Sequence, residues 1–172
     1  MVYLRDATQS DMDLLYAWAN DPAVRKNSFK SNPIPYEDHI KWFKHIMEDD
    51  NVLQFIMMDD EKPVGQIRLN VDGDEAEIGY SIAAECRGKG YGHKILQLAI
   101  QKIQAECPQI KKLIAKVKPE NTASKKLFES EGYEMKYSCY SLDTMWGGYY
   151  ELSNLAHSEA TLNVDIYERG VA

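Results

Sequence analysis

The sequence predicts an α/β chain of the α+β kind, built on one mixed sheet with a few interposed helices. Three observations carry that reading. Between residues 52 and 82 three strand-like runs follow one another across short turns. Apolar residues at helical spacing recur before and after them, and strand-like runs return beyond residue 112. A length of 172 residues suits a single domain, 1–172, with one proper core.

Val2 to Ala7 reads as a short first strand. Ser10 is the expected N-cap of a helix through Ala19, with Leu14, Leu15 and Trp18 at helical spacing, and Asn20-Asp21-Pro22 stops it. A second helix is expected from Tyr36 to Met47, burying Ile40, Phe43 and Ile46. Val52 to Met58 is an apolar strand, Asp59-Asp60-Glu61-Lys62 turns the chain, and Val64 to Val71 alternates. After a second turn at Asp72-Gly73-Asp74, the run from Glu75 to Ile82 sets Ala76, Ile78, Tyr80 and Ile82 against Glu75, Glu77, Gly79 and Ser81. Gly79 is either a bulge or a small residue tolerated in an exposed strand.

The main helix runs from Gly90 to about Ala105, with Ile95, Leu96, Ala99, Ile100 and Ile103 on one face and Pro108 beyond its end. Leu113 to Val117 is a short buried strand. Thr122 to Ser130 is a helix with Gly132 as its C-cap element, and Glu134 to Leu142 is the next strand. Trp146-Gly147-Gly148-Tyr149-Tyr150 opens a stretch, 143–172, that the pattern places poorly until Leu162, Val164 and Ile166 indicate a final strand.

Composition removes several function classes. The hydrophobic fraction is an ordinary 44%, no apolar run approaches a membrane span, and Asp6, Asp11 and Asp13 interrupt any signal-like stretch. Cys86, Cys107 and Cys139 lack the paired spacing of a disulfide framework or metal site, so no metal and a reducing, cytoplasmic location are expected. Cys86 beside Arg87 is read as an activated thiol or, more simply, as a small residue at a loop entrance. The net charge of −7 argues against nucleic-acid binding. Its distribution says more: Glu85 to Lys126 holds ten Lys or Arg against three Glu, while the remainder holds ten against twenty-four acidic residues. Positive potential therefore gathers where a polyphosphate would need it.

Residues 87–92 read Arg-Gly-Lys-Gly-Tyr-Gly directly before the main helix. Gly88, Gly90 and Gly92 let the backbone turn sharply and approach a ligand, and the helix adds unpaired amides and the positive end of its dipole. A dinucleotide fingerprint would need glycine at 93, where His93 stands, and a P-loop would need Gly-Lys-Ser/Thr at its close. The spacing Arg87-x-x-Gly90-x-Gly92 resembles the Q/R-x-x-G-x-G/A acyl-CoA loop of the GNAT superfamily of N-acetyltransferases. Asn121 to Tyr133 is similar to the same superfamily's N-x-x-S/A-x-x-L-Y/F-x-x-x-G-F/Y segment, about 30 residues on, and the two together identify the chain as a member.

That resemblance covers residues 2 to about 142. It implies a mixed, mostly antiparallel central sheet of six or seven strands, splayed between the fourth and fifth, flanked by about four helices. It also implies acetyl-CoA as co-substrate, held by Ile82, Ala83, Arg87, Gly88, Lys89, Gly90, Tyr91, Gly92, Asn121, Ser124, Lys125 and Phe128. Acetyl transfer needs a neutral attacking nitrogen. Glu77 is the base the resemblance suggests, and a surface glutamate in an acidic hairpin is the equally weighted alternative. Many relatives carry a tyrosine at the position of Phe128, whose hydroxyl protonates the departing thiolate. Here Tyr133, Tyr91 or a water has to substitute, or the thiolate leaves unaided. Asn121 is read equally as a helix-entry residue.

The run from Trp18 to Phe29, with His39 to Phe43 and Gln66-Ile67-Arg68, resembles the acetyltransferases of nucleotide-linked amino sugars in the pseudaminic-acid pathway. It implies a small-molecule amine partner, the 4-amino group of a UDP-linked sugar, with Arg25 and Arg68 on a diphosphate or carboxylate. Asn27 joins them, His39 serves a sugar hydroxyl, and Trp42 stacks on a ring. Plain alternatives are a surface His39 and a core Trp42. Acetylation of a protein N-terminus, as by ribosomal-protein acetyltransferases, and a non-catalytic acyl-CoA-binding module are the competing functions. A homodimer paired through the tail is a further expectation.

Overall fold

A computed structural model describes residues 1–141 and 162–171 of the chain. β1 (Val2–Asp6), β2 (Val52–Asp59), β3 (Lys62–Asp72) and β4 (Glu75–Ile82) lie side by side and antiparallel, as the alternation and the acidic turns predict. β5 (Lys112–Val117) is parallel to β4, and β7 (Leu162–Gly170) and β6 (Glu134–Ser141) complete the order β1-β2-β3-β4-β5-β7-β6. A parallel neighbour requires a crossover, which α4 (Tyr91–Glu106) supplies. Leu142 and the Trp146–Tyr150 run lie outside the described residues.

β4 and β5 share three residue pairs: Glu75 with Lys112, Ala76 with Leu113 and Glu77 with Ile114. Beyond them the strands part. The Ala83 amide donates to Val64 O at 2.9 Å, so alternation turns the backbone groups of Ile78, Tyr80 and Ile82 toward the open side. No bulge causes the opening. The β3–β4 register runs unbroken through Gly79, opposite Arg68, and the break lies instead between Met57 and Met58 on β2.

The two faces of the sheet differ. One is apolar: Met57, Ile67, Leu69 and Leu113 meet Ile95, Leu96 and Ala99 of α4 and Phe128 of α5 (Thr122–Ser130) in the main core. The other carries Ile56 and Met58 under α1 (Met12–Ala19) and α3 (Tyr36–Glu48), then turns polar toward β4. There Gln54 Nε2 donates to Gln66 Oε1 at 2.8 Å, and Gln66 Nε2 donates to Ser81 Oγ at 3.1 Å.

Several helix details depart from expectation. Thr8 rather than Ser10 is the cap, its amide donating to Asp11 Oδ2 at 2.8 Å ahead of a 3-10 turn over Gln9–Asp11. Asn20-Asp21-Pro22 ends α1 but also begins α2 (Pro22–Asn27), a fifth helix among the described residues. Asp21 Oδ1 accepts from the Ala23 and Val24 amides at 3.1 and 3.2 Å, and proline suits the first helical position. α3 buries His39, Trp42, Phe43 and Ile46, whereas Ile40, expected inside, is 39% exposed. The apolar stripe is thus rotated by about one residue, because His39 is tolerated in the core. No helix among the described residues is long and apolar enough to cross a membrane.

Arg5 grips Asp11 through two bonds of 2.7 and 2.8 Å, which ties β1 to the entry of α1 and holds the Asp11 carboxyl below its usual range. A carboxyl lowered on folding contributes stability above its unfolded value, near 4, and loses it as pH falls through the folded value. Asp11→Ala should cost about 1–3 kcal/mol at neutral pH, read as a lower urea midpoint. The gap to the parent should shrink as the titration is repeated in progressively stronger acid.

Candidate functional site

The turn between β4 and α4 holds Gly88 and Gly90 at φ of 75° and 83°, the left-handed region where glycine is the unstrained residue. A Cβ on either would meet open space. Gly92 is different. A Cβ there would lie 2.9 Å from Cδ2 of Leu127, so this glycine sets how closely α4 approaches α5. Backbone hydrogen bonding stops at Arg87, whose amide reaches Ala84 O at 3.4 Å, and resumes at Lys94, whose amide donates to Gly90 O at 3.2 Å. The amides from 88 to 93 lie between, at the head of a 16-residue helix, where an anion is favoured.

The turn closes one end of a cavity of about 1120 Å³. Its floor is the parted stretch of β4, Ile78 to Ile82. One wall is α5, and the other is formed by α1, α2, the segment from Ser28 to Pro35 and Trp42 of α3. Within it Tyr80 sets its hydroxyl 3.2 Å from Ser124 Oγ and its ring edge-on to Phe128, 5.7 Å between centroids.

Of the residues the sequence assigns to the acyl-CoA end, Ile82, Arg87, Gly88, Gly90, Tyr91, Gly92, Asn121, Ser124 and Phe128 line this cavity. Ala83, Lys89 and Lys125 do not. Ala83 is buried with its amide spent on Val64, so it offers the open side nothing, whereas Ile82 faces it. Lys125 pairs with the buried Asp165 at 2.9 Å, and the next residue, Lys126, lines the wall. Asn121 caps α5, its Oδ1 accepting from the Ser124 amide at 3.2 Å, while still lining the cavity. Arg87 is held from two sides: Nε donates to Ile82 O at 3.2 Å and Nη2 to Asp21 Oδ1 at 2.6 Å. Burial alone would raise Asp21, but Arg87 and the α2 amides hold its carboxyl below the usual value.

At the other end Arg25, Asn27, Trp42 and Arg68 line the cavity and His39 does not. His39 is fully buried, its Nε2 2.8 Å from Met12 O, its ring packed with Trp42 and Phe43. Burial pushes its imidazole down, so the expected contact to a sugar hydroxyl gives way to a neutral core histidine. Arg25 spends donors on Ala19 O, Lys30 O and Ser28 Oγ at 2.7, 3.0 and 3.1 Å, clasping the 28–32 segment. Asn27 donates to Ala23 O at 3.0 Å. Arg68 stands 4.9 Å over the Trp42 ring, which therefore already stacks on a guanidinium.

Neither expected catalytic side chain lines the cavity. Glu77 lies at the last β4–β5 pair and forms an ion pair at 2.9 Å with Lys116, which does line the cavity. Tyr133 is 2% exposed in the main core against Phe128, and burial pushes its phenol far up. That placement keeps its hydroxyl from the cavity. Tyr80, Lys116 and Lys126 are among the lining residues the sequence reading lacks, and it lacks Asp21 as the anchor of Arg87. Tyr80 carried a signal, since it alternates with its strand neighbours toward the opening. The others depend on contacts between distant segments. Among the described residues no group of three or more His, Cys, Asp or Glu stands together to hold a metal ion.

Residues 2–134 match the family model described as the acetyltransferase (GNAT) domain. The chain is similar to acetyltransferase PseH of Campylobacter jejuni, 23% identical over 129 residues, 74% of this chain and 80% of that one. Among solved structures it resembles the spermidine N-acetyltransferase of Vibrio cholerae in complex with CoA and spermine. That match has a TM-score of 0.79 and 16% identity, covering 98% and 95% of the two chains. It also resembles the aminoglycoside acetyltransferase AAC(6')-Ib in complex with coenzyme A, at 0.76 and 17%, covering 99% and 95%.

Proposed function

The chain belongs to the GNAT acetyltransferase family, and on that premise we propose that it transfers an acetyl group from acetyl-CoA to a primary amine on an anionic small molecule, the 4-amino group of a UDP-linked sugar. One observation carries the acceptor class. Among the described residues the cavity away from the glycine turn and Lys126 is lined by four cations, Arg25, Lys30, Arg68 and Lys116, and a single carboxylate, Asp38. A polyamine or an aminoglycoside brings positive charge to a positive wall, whereas a diphosphate brings the opposite sign. The likeness to PseH points the same way. Trp42 and Arg68 form the flat, charged surface on which the acceptor rests.

The co-substrate fits the other end. The amides from 88 to 93 suit a pyrophosphate, Lys126 adds charge, and the outward backbone groups of Tyr80 and Ile82 suit an extended amide-bearing arm. At about 1120 Å³ the cavity exceeds the roughly 300–1,000 Å³ of single-ligand sites, room for donor and acceptor together. When bound, acetyl-CoA supplies a thioester, an acyl donor with a thiolate leaving group. The protein's part is to align the amine and hold it neutral. We assign Glu77 as the proton acceptor, acting through a water beside Lys116 because Glu77 itself does not line the cavity.

Three measurements test this. Gly90→Asp places a carboxylate and a strained backbone in the turn and should weaken acetyl-CoA binding by about tenfold or more, equivalent to one charge-assisted contact; unchanged calorimetric affinity would place the pyrophosphate elsewhere. Glu77→Gln should lower the rate at neutral pH while sparing cofactor affinity, and an unaltered pH–rate profile removes Glu77 from the reaction. Thiol release from acetyl-CoA should be fastest with UDP-linked amino sugars. Faster turnover of spermidine, an aminoglycoside or a peptide N-terminus would overturn the acceptor assignment.

A further inference from the structure

Displacement of a thiolate is eased by a proton delivered to sulfur, and Phe128 has no hydroxyl to deliver one. Two tyrosines line the cavity among the described residues, Tyr80 and Tyr91. The Tyr91 hydroxyl is engaged by the carboxylate of Asp59, an acceptor that would compete for its proton. Tyr80 remains. It sits on β4 beyond Glu77, in the stretch that β5 has left, with its backbone facing the opening. Its hydroxyl meets Ser124 Oγ at 3.2 Å, and its ring packs edge-on against Phe128. Ser124 and Phe128 are one turn apart on α5, so the hydroxyl from the strand stands over the helix face that Phe128 leaves without a donor.

We propose that the Tyr80 hydroxyl, oriented by Ser124, is the proton donor to the departing sulfur, an assignment that rests on the acetyltransferase reading above. The step balances. The amine nitrogen forms the N–C bond, the C–S bond breaks with its electron pair passing to sulfur, and the Tyr80 proton moves to that sulfur. The nitrogen loses its surplus proton through a water to Glu77, and solvent returns one to the phenolate by way of Ser124. Burial raises the Tyr80 phenol above its ordinary value, opposed in part by the Ser124 bond, so the proton is on oxygen at neutral pH.

Tyr80→Phe keeps the ring and its packing and removes the donor. With the best acceptor of the amine panel, kcat should fall roughly 10²-fold or more while the calorimetric Kd for CoA stays within about twofold. A second reading is independent of turnover: the ultraviolet absorbance of the thiolate of bound CoA, followed across pH. A donor hydroxyl stabilises the thiolate, so bound CoA should lose its thiol proton at lower pH in the parent than in Tyr80→Phe, with Ser124→Ala between them. Coincident titrations, or a Tyr80→Phe enzyme as fast as the parent, overturn the assignment while leaving acetyl transfer intact. If the parent binds CoA but acetylates nothing in the panel, the functional reading fails, and the thiol titration still decides whether Tyr80 faces the sulfur.

Discussion

The site exists because β4 and β5 stop pairing after three residues. A strand edge inside a protein carries amides and carbonyls that need partners. Here β5 turns its hydrogen bonds to β7, leaving the far half of β4 with one satisfied side and one open one. The opening is wedge-shaped by construction, since a parallel pair that begins in register and then diverges leaves a slot widening toward the strand ends. The glycine turn and the head of α4 sit at those ends. The slot has the shape and the free backbone groups that an extended, amide-bearing ligand with a charged terminus would require, so strand pairing and helix placement follow from one interrupted register.

The two faces of the sheet divide the remaining work. The apolar face takes α4 and α5, which approach each other where Gly92 faces the end of Leu127. The other face is kept polar by the Gln54–Gln66–Ser81 chain and by Arg68 over Trp42. Hydrogen bonding among neighbours offsets part of the cost of burying this polar chain, in which Gln54 is fully buried.

Much of this could be read from residues alone, where short-range patterns decide it. Alternation from 52 to 82 placed β2, β3 and β4, and the glycine spacing placed the turn before α4. What escaped depends on contacts far apart in the chain. The parting of β4 and β5 came from family likeness, and of the two readings of Gly79 the intact register leaves the small residue and excludes the bulge. Lys125 and Lys126 are adjacent in sequence, and only Asp165, forty residues on, separates the structural lysine from the one on the wall. His39 and Ile40 exchanged places for the same reason: His39 is tolerated in the core with Met12 O, 27 residues away, as its partner, and no local pattern reports that.

Arg87 belongs to the glycine turn at one end of the cavity, yet one of its nitrogens is fastened to Asp21, the residue that caps α2 in the opposite wall. The two ends of the cavity are therefore welded at a single carboxylate. Remodelling the helix for a different amine drags the nucleotide end with it, so diversification of acceptor range in such a scaffold has to proceed through side chains facing inward from α2 rather than through the joint that anchors it.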